Sequence, residues 1–542
     1  MQLLDNEILK ARAVVIDGNA TARSVMAAQL RALGLQEVRQ LARVQDARLL
    51  LEREPHDIVL CEMDFEGAPM SGPELLDELR REQLLPASTA FLLVTANASY
   101  ARVAEAAQSS ADGCLVKPCS SAVLAERLAE VRRRKRELAP LYEAMRSGDA
   151  AQAAAHAEQR FTARRSYWRY AAKVATELWL RAGQPERARA VCEAVLAEGP
   201  QSWARLGIGR VHLAKGELAA ARRQLEASVA QDGGDADAHE LLARTLIELG
   251  DFEAALQEMR TASALTPGCL LRRQHRGALA FYLGARDEAT QELRQAMAMG
   301  RKSRLLAPSS LLLLALLEHD ARELRGFAAL AEQVAGMAAA DAGSARLRRM
   351  DGLLRLLAAA QARRDEEVLQ AARALASQSE ESGFDLEAAV VTLAAWVRLP
   401  APVVDAAERA AVVRGLALRH TVSKATTETL VGAANGDAQA IELVREAHAE
   451  IGRIAEQALG ASLKGHADAA VRTLLEQGEK TRNAKLIEMS QTLSRRHAEH
   501  LDNAAAHLQR AQALQERFCA AITQLAGIGR AARAPGGVAL RA

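Results

Sequence analysis

The chain has 542 residues, enough for three or four domains at about 150 residues each. Apolar residues make up 49%, charged residues 25% and aromatics 3%, and the formal net charge is +2. That balance allows large cores, favours packed helices over sheets, and excludes a chain that acts through one global basic or acidic field. Cys61, Cys114, Cys119, Cys192, Cys269 and Cys519 show no metal-ligand spacing and fit a reduced, cytoplasmic setting. The start, "MQLLDNEILKAR", carries two acids before any apolar run and does not read as a signal peptide. The longest apolar run, "LLLLALL" at 311–317, is far below the roughly 20 residues a membrane span needs and reads as a buried helix.

Over residues 1–136 the pattern alternates. "AVVID" is a short apolar run ending in Asp17, and a helix follows with Ala22, Val25, Met26, Leu30 and Leu33 on one face. Next come "VRQLA", a helix over 44–54, the strand 58–61 running into Glu62, and a helix over 73–83. "AFLLVT", a helix over 99–108, "GCLVKP" and a helix over 120–136 complete the series. Five strands alternating with five helices predict a parallel sheet covered on both faces. Asp17, Glu62, Thr95 and Lys117 fall at carboxyl ends of strands, where such sheets hold ligands.

"VVID", "DIVLCE", "LLVT" and "LVKP", in this order, resemble the receiver domain of bacterial response regulators, an α/β flavodoxin-like fold. The resemblance covers residues 10–136. It implies two adjacent acids after the first strand and an Asp ending the third, which bind magnesium; the third-strand Asp accepts a phosphoryl group, and a Thr or Ser and a Lys hold its oxygens. Hard oxygen ligands suit the metal, and the lysine neutralises charge on the transferred group. Asp17, Thr95 and Lys117 match that set, but the second acid falls on Gly18 and the acceptor on Glu62. Counting forward from "HD" gives Glu62 as the acceptor position, whereas counting back from Gly72 gives Asp64; the forward count fixes the end of the buried strand. The switching aromatic falls on Cys114. The expectation is a pseudo-receiver without a bound cofactor, in which Glu62 either imitates the phosphorylated state or merely pairs with Lys117. The alternative is a phosphorylatable receiver that uses Asp64 and Mg2+.

Between 137 and 302, glycine is followed five residues later by alanine at Gly148/Ala153, Gly183/Ala188, Gly216/Ala221, Gly250/Ala255 and Gly284/Ala289. The glycine steps are 35, 33, 34 and 34 residues, the period of a solenoid. The pattern resembles the tetratricopeptide repeat, an all-α helix-turn-helix unit. Gly277 and Ala289, or Ala243 and Ala255, would lie where the helices of one unit cross. Strong repeats start near Trp203, Ala236 and Leu270, and weaker ones near Arg169 and Arg134. First helices line the concave side of such a stack. Tyr170, Lys173, Trp203, Arg210, Arg244 and Gln274 are therefore expected in a groove for a protein partner, with the cations favouring an acidic segment. A histidine kinase or another signalling protein would meet the receiver.

Residues 303–525 read as degenerate helical repeats, with a turn at 363–365 and "GDAQAIELV" and "GHADAAVRTLL" echoing the glycine spacing. The stretch 485–518 reads as one long amphipathic helix, and 526–542 as a disordered tail. His497 and His500 share a helix face, but no third ligand accompanies them, so no metal is expected there. "RRRKR" at 132–136 could touch nucleic acid, though no recognition module accompanies it and a solvated junction is expected. The expected whole is a bacterial signalling adaptor without catalytic residues. Its rivals are a phosphorylated response regulator with a repeat output and a nucleic-acid-binding regulator.

Overall fold

The computed structural model describes residues 6–65, 70–97, 111–300, 303, 305–400 and 403–519. The helix expected over 99–108 and the tail expected over 526–542 lie outside them. β1 (Arg12–Ile16), β2 (Glu37–Leu41), β3 (Ile58–Glu62), β4 (Ala90–Thr95) and β5 (Gly113–Val116) form one sheet, all pairs parallel, in the order β2-β1-β3-β4-β5. The inner strands are apolar throughout because both faces are covered. Val14, Ile16, Val59, Cys61, Phe91 and Leu93 face α2 (Val44–Arg53) and α3 (Gly72–Arg81). Ala13, Val15, Ile58, Leu60, Leu92 and Val94 face α1 (Ala20–Ala32) and α4 (Ser121–Glu137). α1 buries Met26, Ala27 and Leu30, whereas Val25 points outward, about one 100° step off that stripe.

Helix pairs follow. They are α5 (Ala139–Arg146) with α6 (Ala150–Thr162), α7 (Trp168–Arg181) with α8 (Pro185–Leu196), and α9 (Ser202–Ala214) with α10 (Leu218–Gln231). Then come α11 (Ala236–Glu248) with α12 (Phe252–Leu265) and α13 (Leu270–Tyr282) with α14 (Arg286–Gly300). The period has a mechanical origin. The five spaced glycines take φ between +68° and +84° and end the first helix of each pair. Each alanine five residues on is fully buried where the pair crosses. A methyl on Gly277 would sit 2.7 Å from Leu293 Cγ, so the close approach of α13 and α14 needs hydrogen there.

The stack continues through α15 (Pro308–Asp320), α16 (Leu324–Ala340), α17 (Ala345–Gln361), α18 (Asp365–Ser377), α19 (Leu386–Val397) and α20 (Ala406–His420). It ends with α21 (Lys424–Ala433), α22 (Ala438–Leu463), α23 (Ala467–Thr481), α24 (Ala484–Arg496) and α25 (Ala504–Phe518). One apolar core includes buried residues from Leu206 to Ala447, on both sides of the position 302/303. The single long helix expected over 485–518 is two. Leu501 turns inward, Asp502 and Asn503 favour a turn, and α24 and α25 each bury their own stripe. His497 is taken up at this break by Ser462 Oγ, 3.2 Å away.

A buried polar network ties α13 to α11. Arg272, with no exposed surface, is bonded to Glu240 Oε2 at 2.8 Å, to Thr266 Oγ1 at 2.6 Å and to Asp237. Beside it, burial pulls the His275 imidazole down to about 4; Glu240, 3.8 Å away, opposes this, while Arg244 on α11, Arg81 on α3 and Arg272 reinforce it. The unfolded chain takes up that proton near the ordinary value of about 6.5. Through His275 alone, stability of the repeats is therefore expected to fall as pH drops from about 6.5 towards 4, by about 1.4 kcal/mol per pH unit at most. Burial raises the Glu240 carboxyl, but Arg272 and His275 outweigh it and leave it low, so its own contribution is lost only at still lower pH. Urea midpoints of wild type and His275→Gln between pH 7 and 4.5 check this; the variant should lose part of the slope and keep the part due to buried His420, which burial pulls down to about 3.

Candidate functional site

The parallel register brings four strand ends to one edge. Ile16 pairs with Cys61, Glu62 with Val94, and Thr95 with Val116. Asp17, Glu62, Thr95 and Lys117 therefore stand together, as parallel strands of matched length require. Lys117 Nζ lies 2.6 Å from Asp17 Oδ2 and also bonds Glu62 Oε2. The other carboxylate oxygens are engaged locally. Asp17 Oδ1 accepts from Asn19 N at 2.8 Å, and Glu62 Oε1 accepts from Met63 N at 2.9 Å. Burial pulls the Lys117 ammonium down, but the hydrogen bonds it donates to Asp17 and Glu62 outweigh this and its pKa is raised. Arg23 adds a guanidinium bond to Asp17 O at 2.5 Å.

The remaining predicted residues do not join this trio. The Thr95 hydroxyl is spent on its own loop, accepting from Asn97 N at 3.0 Å. Asp64 is exposed, two residues past the end of β3. Cys114, where the resemblance puts an aromatic, is half-buried on β5, and burial pushes its thiol up. A Cβ at Gly18 would meet open space. The two carboxylates share one ammonium, and among the described residues no group of three or more His, Cys, Asp or Glu is placed to hold a metal ion. The described residues thus offer a hard cation two carboxylates, both already paired with Lys117.

One contact had no signature in the sequence. Gly72, first residue of α3, packs so tightly on the Glu62 carbonyl that a methyl would collide with it. Gly72 N also donates to Met63 O at 3.0 Å. The pocket and α3 are thus in direct mechanical contact.

The expected groove residues are dispersed. Gln274 is only 1% exposed: it donates to Leu305 O at 2.9 Å and accepts from Ala307 N at 2.7 Å, fastening the start of α15. It is a structural clamp and not a groove residue, because the chain after α14 folds back over it. Arg210 pairs with Glu177. Lys173 is half-buried, its pKa lowered by burial against the pull of Asp237 and Asp235. Trp203 packs at the edge of the core formed by α5 to α9. Arg244 lies close to Glu240 and His275. Tyr170 sits at the junction of the two parts, with the Arg134 guanidinium 4.9 Å above its ring. α21 packs against α11 and α13: Gly432 rests on the Tyr282 backbone, and Lys424 on Gly250.

Part of the basic run turns inward, while Arg133 and Arg136 are exposed. Arg134 and Lys135 meet buried Asp112 at 2.7 and 2.8 Å, and Arg133 donates to Tyr167 Oη at 2.9 Å. Burial lowers Lys135 to about 8 despite Asp112.

Residues 13–129 match the response regulator receiver domain, and residues 179–245 and 212–280 match the tetratricopeptide repeat. The chain is thus a receiver-type signalling module joined to protein-interaction repeats. In particular, it is similar to chemotaxis protein CheY-3 of Vibrio cholerae, 28% identical over 131 residues, which are 24% of this chain and 97% of that protein. A response regulator from Burkholderia pseudomallei, solved with a phosphorylated aspartic acid, a calcium ion and citrate, is 25% identical over 24% of this chain and 71% of its own, with a TM-score of 0.20. A tetratricopeptide repeat protein from Parabacteroides merdae is 15% identical over 50% of this chain and 95% of its own, with a TM-score of 0.33. The similarity to CheY-3 places the N-terminal module in two-component signalling. None of the six cysteines is joined in a disulfide, and among the described residues no helix is long and apolar enough to cross a membrane.

Proposed function

We propose that this protein is a cytoplasmic signalling adaptor: a pseudo-receiver fixed in one state, carried on a helical scaffold that binds a protein partner. The observation that carries the reading is Lys117 held between Asp17 and Glu62. In a receiver this lysine must be available to a transferred phosphoryl group; here an internal carboxylate, one methylene longer than aspartate, takes it. With Gly18 supplying no ligand, neither a metal nor a phosphoryl oxygen meets the charge it needs. The module then works by docking and not by turnover. The inward pairing of Arg134 and Lys135 argues against nucleic acid as the ligand of the basic run.

Incubating the full chain with acetyl phosphate and magnesium, followed by intact mass, tests this. The expected result is no added phosphoryl group. A single addition that disappears in Asp64→Ala would establish the phosphorylatable rival instead.

A further inference from the structure

The turn between α3 and β4, residues 82–89, and the helix α5 enclose a cavity of about 370 Å³. It lies at the amino ends of the strands, the edge of the sheet opposite Lys117. Leu85, Pro86, Ala139, Met145 and the Tyr142 ring give it apolar walls, and Arg80 gives it a cation. Pockets for small molecules span roughly 300–1,000 Å³ and combine apolar walls with a few placed polar groups.

The charge around this cavity does not balance. Arg80 is 4% exposed. Its Nη1 donates to Leu85 O at 3.1 Å and to Pro86 O, and its Nη2 to Thr89 O at 3.1 Å. Those carbonyls satisfy donors but supply no countercharge, and the Arg80 Nε has no hydrogen-bond partner. Lys135 is buried too and grips the same turn. Its Nζ donates to Ala87 O at 2.6 Å and lies 5.0 Å from the centre of the Tyr142 ring. Arg134 and Lys135 share one carboxylate, Asp112, at 2.7 and 2.8 Å, and Asp112 is also the acid that acts on Arg80. Burial lowers both Arg80 and Lys135 in spite of it. At the mouth Glu143 and Arg146 pair at 3.0 Å and cancel each other. Buried charge without a counterion is costly, and an anion placed close by relieves it.

We propose that this cavity binds a small organic anion, a carboxylate or phosphate ester on a compact apolar body. The head group lies beside Arg80, and the body lies against Leu85, Pro86, Ala139 and Met145. The walls come from the receiver turn and from α5 together, so one occupant is held by both parts of the chain. The site goes beyond the pseudo-receiver reading and does not depend on it.

Isothermal titration of the full chain tests this, with 2-naphthoate and 2-naphthyl phosphate as probes and uncharged 2-naphthamide as the control. The three share a body and differ in the head, so the charge is tested without disturbing the fold. At least one anion is expected to bind with a Kd below about 1 mM, and about ten-fold more tightly than the amide. The tighter of the two anions identifies the head group. Its binding should slow amide exchange over residues 82–89. Ala139 is exposed, so Ala139→Trp fills the cavity from its mouth and leaves Arg80 and Lys135 in place. That variant should bind the same anion about ten-fold or more weakly. Three results would each overturn the site: no binding of either anion up to about 1 mM, equal binding of the amide, or undiminished binding by Ala139→Trp. All three are separate from the acetyl phosphate experiment, which concerns the opposite edge of the sheet.

Discussion

Lys117→Ala will cost the sheet domain about 3 kcal/mol, near the lower end of what breaking a buried ion pair costs. The reason is what stays behind. The Asp17 side chain is 3% exposed and that of Glu62 12%. Without the ammonium, two carboxylates face each other at the end of β1 and β3 with little water to screen them. The removed partner is itself 15% exposed, so solvent enters and keeps the loss from the upper end of the range. The triple variant Lys117→Met, Asp17→Asn, Glu62→Gln should recover part of the loss, because no uncompensated charge then remains. The tryptophans all lie beyond residue 167, so their fluorescence reports the repeats and not the sheet. Amide exchange of β1, β3 and β5 is the suitable readout. Equal protection in wild type and Lys117→Ala would mean that the pairing does not hold the pocket together.

Arg272→Ala will have the largest effect in the repeats, about 3–5 kcal/mol. Arg272 has no exposed surface and compensates both Asp237 and Glu240 from α13. Its loss strands a carboxylate that is 3% exposed, opens a cavity the size of its side chain, and leaves the Thr266 hydroxyl with its bond to Ala262 O alone. Because repeats couple to their neighbours, the damage should spread to α11 and α15 before it reaches α7 or α19. Glu240→Gln added to Arg272→Ala should return part of the loss. A urea midpoint unchanged by Arg272→Ala, followed through the tryptophans, would remove this network from the account of stability.

Some of this was open to reading in the residues. The apolar runs of β1, β3 and β4 announce a sheet covered on both faces, and the acids and lysine at their ends announce a pocket. Gly183, Gly216, Gly250 and Gly284 announce the repeats because each performs the same mechanical task at the same phase. After Gly284 the period fades for a physical reason. The left-handed turn positions pass to Arg322 and Arg363, with φ of 60° and 56°, so the conformation persists without the residue that betrays it. Pocket membership was harder to read than pocket position. Thr95 stands at the right strand end, yet its hydroxyl is turned to Asn97, a rotamer choice that spacing does not encode.

Sequence alone determined the two architectures, the pocket's location and the loss of the second acid at Gly18, since these depend on periodicity and on residue type at fixed offsets. Only the tertiary structure decided that Lys117 is shared by Asp17 and Glu62, that Gln274 is a clamp, and that α3 and α21 lie against the repeats. Local periodicity says which face of a helix must be covered. What covers it depends on the accumulated curvature of many stacked pairs, and partners 225 residues apart leave no local trace.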